Sequence, residues 1–138
     1  MKYIKLFKIF ESIDNIDYIL KSVRDIFIEL EDEGMNVDIS YSTLIKDEIL
    51  VKIIGKKVSE ELDFPSVRPG VFTDVSKEFD IDTLRDYVDM LIDFLNEFYT
   101  YDIYFELFDK YGGAPIKKVD KLEKDNNLGS ITIHIKIK

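Results

Sequence analysis

Apolar residues at Ile16, Ile19, Leu20, Val23, Ile26, Phe27 and Leu30 are separated by steps of 3, 1, 3, 3, 1 and 3. That spacing keeps them on one face of an α-helix. Ser12 or Asp14 is placed to accept backbone N–H bonds at its start, and Gly34 to end it in the left-handed conformation. The pattern predicts a helix over about 14–33. Val37, Ile39 and Tyr41 then alternate with Asp38 and Ser40, the period-two signature of a half-buried strand. A polar break at Lys46-Asp47-Glu48 leads to Ile49, Val51 and Ile53, so the pair reads as a β-hairpin.

The order then recurs. Ile81, Leu84, Val88, Leu91, Leu95 and Phe98 step by 3, 4, 3, 4 and 3, predicting a second helix over about 81–99 with Asp80 or Asp82 as its cap. Ile103, Phe105 and Leu107 predict a third strand. A turn- and lysine-rich stretch follows, and Ile131, Ile133, Ile135 and Ile137 predict a fourth strand. Between the halves, residues 56–79 carry Pro65 and Pro69; they are expected to form a long packed loop held by Phe64, Val67, Val71 and Phe72.

Two one-sided helices need a common apolar surface. The expected fold is α+β: a two-layer sandwich with two helices on one face of a four- or five-stranded, largely antiparallel sheet, pseudo-repeated as αββ-αββ. If residues 2–9 add a strand, the order contains the ferredoxin-like pattern with the last strand as an extra. The recurrence of Lys2, Lys5 and Lys8 every three residues fits a short amphipathic helix equally well. A length of 138 residues suits one domain spanning 1–138.

Composition narrows the chemistry. With 46% hydrophobic and 34% charged residues the chain is globular in type. No cysteine is present, which excludes disulfides, thiolate zinc sites and a thiol nucleophile. No apolar run approaches the roughly 20 residues of a membrane span, and lysines interrupt the apolar N-terminus where a secretory signal would be continuous. A net charge of −9 argues against direct nucleic-acid binding. The charge is also uneven. Residues 78–109 hold ten acids against Arg85 alone, whereas residues 110–138 hold seven lysines against three acids.

Within that acidic middle, Asp82, Asp86, Asp89, Asp93 and Glu97 step by 4, 3, 4 and 4 and line one helical stripe. Such a stripe is ordinarily a solvated face. Its functional reading is a docking surface for a basic protein, including one that grips a phosphate backbone. Carboxylates also suit Mg²⁺ or Ca²⁺, but no loop-type ligand spacing accompanies them, so no metal or cofactor is expected. Arg68, in the proline-rich segment, is a second candidate partner contact. His134, the only histidine, falls on the outward register with Thr132 and Lys136 and reads as an exposed strand residue with no function. Phe98, Tyr99, Tyr101, Tyr104 and Phe105 read as one aromatic cluster. Gly112-Gly113-Ala114-Pro115 lacks the Lys-Ser/Thr of a phosphate loop and reads as a turn. No linear motif indicates a catalytic residue.

The opening Met1-Lys2-Tyr3-Ile4-Lys5-Leu6-Phe7-Lys8-Ile9-Phe10-Glu11 resembles that of small uncharacterised accessory proteins of large tailed, T-even-like bacteriophages. Ile26-Phe27-Ile28-Glu29-Leu30-Glu31-Asp32-Glu33-Gly34 is similar to a helix end in the same proteins. The resemblance implies an N-terminal leader directing the protein into the prohead, with processing after Glu11 in Ile9-Phe10-Glu11. It implies a non-enzymatic accessory protein of the host cytoplasm or virion that binds a host or phage protein. The alternatives are a structural or internal virion component, and a small enzyme whose site is formed only by folding.

Overall fold

The computed structural model describes residues 12–42, 48–62, 65–66, 68–123 and 128–138. The first helix, α1, spans Ser12–Asp32 and buries Ile19, Val23, Phe27 and Leu30 completely. Its end is set by Gly34 at φ 92°. There the Gly34 N–H donates to the Glu31 carbonyl at 3.0 Å and the Met35 N–H to the Leu30 carbonyl at 3.1 Å, a Schellman stop with both Leu30 and Met35 buried. The turn leads directly into β1 (Asn36–Ser42), which pairs with β2 (Glu48–Ile54) from Asn36↔Ile54 to Ser42↔Glu48.

The second helix, α2 (Ile81–Phe98), buries Ile81, Leu84, Val88, Leu91 and Leu95. Asp80 occupies the N-cap position, but the expected capping by its side chain is not made; the Asp80 carbonyl instead accepts from the Thr83 N–H at 3.0 Å. After α2 come β5 (Tyr101–Phe108) and β7 (Ser130–Ile137). Between these two lies β6 (Lys117–Val119), a short strand paired with Phe105–Leu107. This strand was not expected, because its Lys-Lys-Val sequence carries a single apolar residue and no alternation.

The five strands form one antiparallel sheet in the order β1-β2-β7-β5-β6. Strand β2 runs through α2 to β5, and because both are antiparallel to β7 they are parallel to each other with a gap one strand wide. The last strand fills that gap. It is therefore the centre of the sheet rather than an extra strand, in the place that the ferredoxin-like pattern gives its first strand; residues 2–9, expected to form a strand or a short helix, lie outside the described residues. This position explains why Ile131, Ile133 and Ile135 are fully buried. A single cluster joins them to Ile49, Val51, Ile53, Phe105, Leu107 and the inner faces of both helices.

The segment expected to be an irregular loop instead holds a separate hairpin, β3 (Lys57–Glu61) with β4 (Phe72–Ser76). Pro65 and Pro69 sit in its connection, where a missing N–H breaks no ladder. The expected packing is only partly realised. Val75 is buried, while Val71 and Phe72 are exposed; Phe64 and Val67 lie outside the described residues. The Lys77 N–H donates to the Lys56 carbonyl at 2.7 Å, and the Ser76 N–H to the Lys110 carbonyl at 3.1 Å, fastening the hairpin to the end of the main sheet.

Candidate functional site

The alternation that turns isoleucines toward the helices turns a polar set the other way. On β2 this set is Glu48, Leu50, Lys52 and Ile54; on β7 it is Ser130, Thr132, His134 and Lys136; on β5 it is Asp102, Tyr104, Glu106 and Phe108. His134 lies directly across from Leu50 on one side and Tyr104 on the other. Glu48 and Glu106 are its diagonal neighbours, two residues along on the flanking strands and within reach of a long side chain.

Both diagonals are used. Glu48 Oε1 lies 2.5 Å from His134 Nδ1, and Glu106 Oε1 contacts Nε2. Tyr104 stacks flat on the imidazole, with centroids 4.2 Å apart and planes 7° from parallel. Lys118 of β6 places Nζ 4.3 Å from the Tyr104 ring centroid, in cation–π contact. His134 is therefore a partnered, largely buried group rather than the exposed residue expected, its side chain only 14% accessible. Glu48 and Thr132 are buried as well. A neutral imidazole has one N–H, so the two carboxylates are both satisfied only when the ring carries both protons or a carboxyl group supplies one. Either way, no ring nitrogen is left to act on a substrate. Burial, and then the charges of Glu48 and Glu106, push the Tyr104 phenol above its ordinary value of 10.0.

This arrangement also removes Tyr104 from the expected aromatic cluster, since it faces away from the helices. Phe105 points into the core. The cluster that forms is Tyr18, Phe94, Phe98 and Tyr99, with Phe94 as its hub. Tyr101 stands nearby and donates its hydroxyl to Asn96 at 2.8 Å.

The acidic stripe is laid out as its spacing implies. Asp82, Asp86, Asp89, Asp93 and Glu97 are all exposed on the side of α2 turned away from the core. Asp82 pairs with Arg85 at 3.3 Å. Among the described residues, no ion pair involves Asp86, Asp89, Asp93 or Glu97. Asp89 lines a cleft of about 140 Å³ with Arg85, Asp120 and Lys121. Met90, one turn from Asp86, Asp93 and Phe94, is exposed, and so is Tyr18 against Phe94. Arg68 is exposed in the β3–β4 connection, and no described contact joins it to the stripe. Nearby, Glu61 accepts the Gly70 N–H at 2.9 Å, and Lys110 grips Glu60 at 2.9 and 3.0 Å, which raises the Lys110 ammonium above its usual range. Glu11 lies outside the described residues.

Among the described residues no three His, Asp or Glu side chains converge to hold a metal ion, and no helix is long and apolar enough to cross a membrane. No protein-family model, curated protein or solved structure matches the chain.

The Glu48–His134–Glu106 group escaped the sequence reading for a topological reason. Its members come from three strands, and only the insertion of β7 between β2 and β5 makes them neighbours. The available signal was weak: a glutamate at the first position of one strand, and an outward glutamate and histidine on two others.

Proposed function

We propose that the chain is a non-enzymatic accessory protein of phage type that acts by binding a basic protein through the exposed face of α2. The observation that carries this reading is the stripe of Asp86, Asp89, Asp93 and Glu97, exposed and without ionic partners among the described residues. Neighbouring like charges at these spacings cost a few tenths of a kcal/mol per pair, a cost that a partner's Lys or Arg side chains would turn into attraction. Exposed Met90 and Tyr18, beside the stripe, supply the apolar anchors that a protein interface needs next to its charged rim. The resemblance of the first eleven residues to phage accessory proteins gives the partner's setting, a bacterial host cell or a virion. Engagement of both ring nitrogens of the only histidine weighs against acid–base catalysis at the polar cluster.

The test is an affinity pull-down of the tagged protein from bacterial lysate, alongside the variant Asp86→Asn/Asp89→Asn/Asp93→Asn. A basic protein retained by wild type, lost by the variant and released by salt supports the reading. Equal retention by both, or none, refutes the acidic face as the binding surface and favours a structural virion role.

A further inference from the structure

The three-strand polar cluster has a proton requirement of its own, independent of any partner. Two contacts between carboxylates and ring nitrogens need two protons, and a neutral imidazole between two ionised carboxylates brings only one. An unprotonated ring nitrogen facing a carboxylate would set lone pair against lone pair in a site where Glu48 is 93% buried (7% accessible). We propose that Glu48, His134 and Glu106 form a proton-holding clasp: folding takes up one proton there, which fastens β2, β7 and β5 together and makes the sheet weaken as the solution turns alkaline.

The surroundings work in both directions. On the same face stand Lys52 on β2, Lys136 on β7, Asp102 and the Tyr104 phenol on β5, and Lys118 on β6. The lysines oppose an added positive charge. They are not at the ring nitrogens, however: Lys118 lies on the Tyr104 ring, whereas the two carboxylates touch the imidazole directly. Direct contact in a buried site outweighs ammonium groups two residues along the strands.

Linkage gives the sign and size. An unfolded chain releases the proton of an ordinary imidazole around pH 6.5 and keeps ordinary glutamates ionised above about pH 4.3. A folded state that keeps the clasp's proton where the unfolded chain has released its own holds one proton more, and its folding equilibrium constant falls about tenfold per pH unit as the pH rises.

Because His134 is the only histidine, ring ¹⁵N–¹H NMR reads it without assignment. At pH 7.5 the expected result is two ring protons coupled through short hydrogen bonds, or one ring proton with a carboxyl proton shared to the other nitrogen. A ring with one proton and a free second nitrogen overturns the proposal. Urea unfolding between pH 6 and 9 is the second measurement, on wild type and on Glu106→Gln, which keeps the side chain's shape and removes one charge. Wild type should lose folding equilibrium about tenfold per unit over part of that range, and the variant should be flatter. Parallel profiles for the two proteins overturn the clasp even if both fold.

Discussion

Replacing Gly129 with alanine tests how tightly the end of the sheet is closed. Gly55 ends the β2 edge of this junction and Gly129 opens the β7 edge, and the Gly55 N–H donates to the Gly129 carbonyl at 2.9 Å. The turn after β5 passes directly over Gly129. A Cβ built there would lie 2.2 Å from the Asp109 carbonyl oxygen, 2.5 Å from its carbon and 2.4 Å from Lys110 Cα. All three are backbone atoms, so no side chain can swing aside. Relief requires moving the β5–β6 turn, which also carries the Ser76–Lys110 hydrogen bond that holds the β3–β4 hairpin. Overpacking of this kind costs about 2–3 kcal/mol. For 138 residues the unfolding entropy makes each kcal/mol worth about 3–4 °C, so Gly129→Ala should melt about 7–10 °C below wild type. Gly70→Ala is the control. Its φ of 86° carries a backbone cost that Gly129 does not have, but nothing lies within 4 Å of its Cβ position, so only that cost of about 1 kcal/mol applies. Thermal and urea unfolding followed by circular dichroism separate the two variants. A Gly129→Ala protein within about 1 kcal/mol of wild type, or no worse than Gly70→Ala, would refute the close approach.

Three further outcomes follow from the same structure. Phe27, fully buried on α1 with its ring 6.3 Å from that of Tyr87, should lose about 3–5 kcal/mol on change to alanine, measured by urea unfolding. Neutralising Asp86, Asp89 and Asp93 to Asn should raise stability by about 1 kcal/mol at low salt, with the gain shrinking in 1 M salt; a destabilised variant would mean that the stripe has internal partners. At high pH, burial raises the Tyr87, Tyr99, Tyr101 and Tyr104 phenols above 10.0. The folded state therefore keeps protons that the unfolded chain releases, and stability present below pH 10 should fall above it. Absorbance at 295 nm should show phenolate formation tracking the loss of structure, and ionisation of all eight tyrosines near pH 10 with the fold intact would contradict this.

Both helices and the four long strands were legible because each writes a strong period over five or more residues. The α1 ladder ends at Leu30 and its stop at Gly34 needs no tertiary information. Elements without a period were missed. Strand β3, Lys-Val-Ser-Glu-Glu, offers one apolar residue, and β6 only Val119; each is specified by the strand it pairs with rather than by its own side chains. The acidic stripe was legible because residues on one helix face are fixed by local geometry. The histidine cluster was not, because lateral order in a sheet is set by chain topology, which a strand's own sequence does not encode.

That topology also explains why the polar cluster sits at the middle of the sheet. Without β7, β2 and β5 would each present an open edge toward the other. The alternating isoleucines of β7 close the core on one side and leave a single outward position level with Leu50 and Tyr104. A long apolar residue there would leave Glu48, which opens β2, and Glu106 in mid-β5 facing across it with no donor between them. Histidine reaches both at once, since its two nitrogens point to opposite sides of one flat ring. The same flatness lets Tyr104 lie against it. The residue that reads as incidental in a linear strand is thus the one whose shape and valence fit where three strands meet, and the order β2-β7-β5 is what demands it.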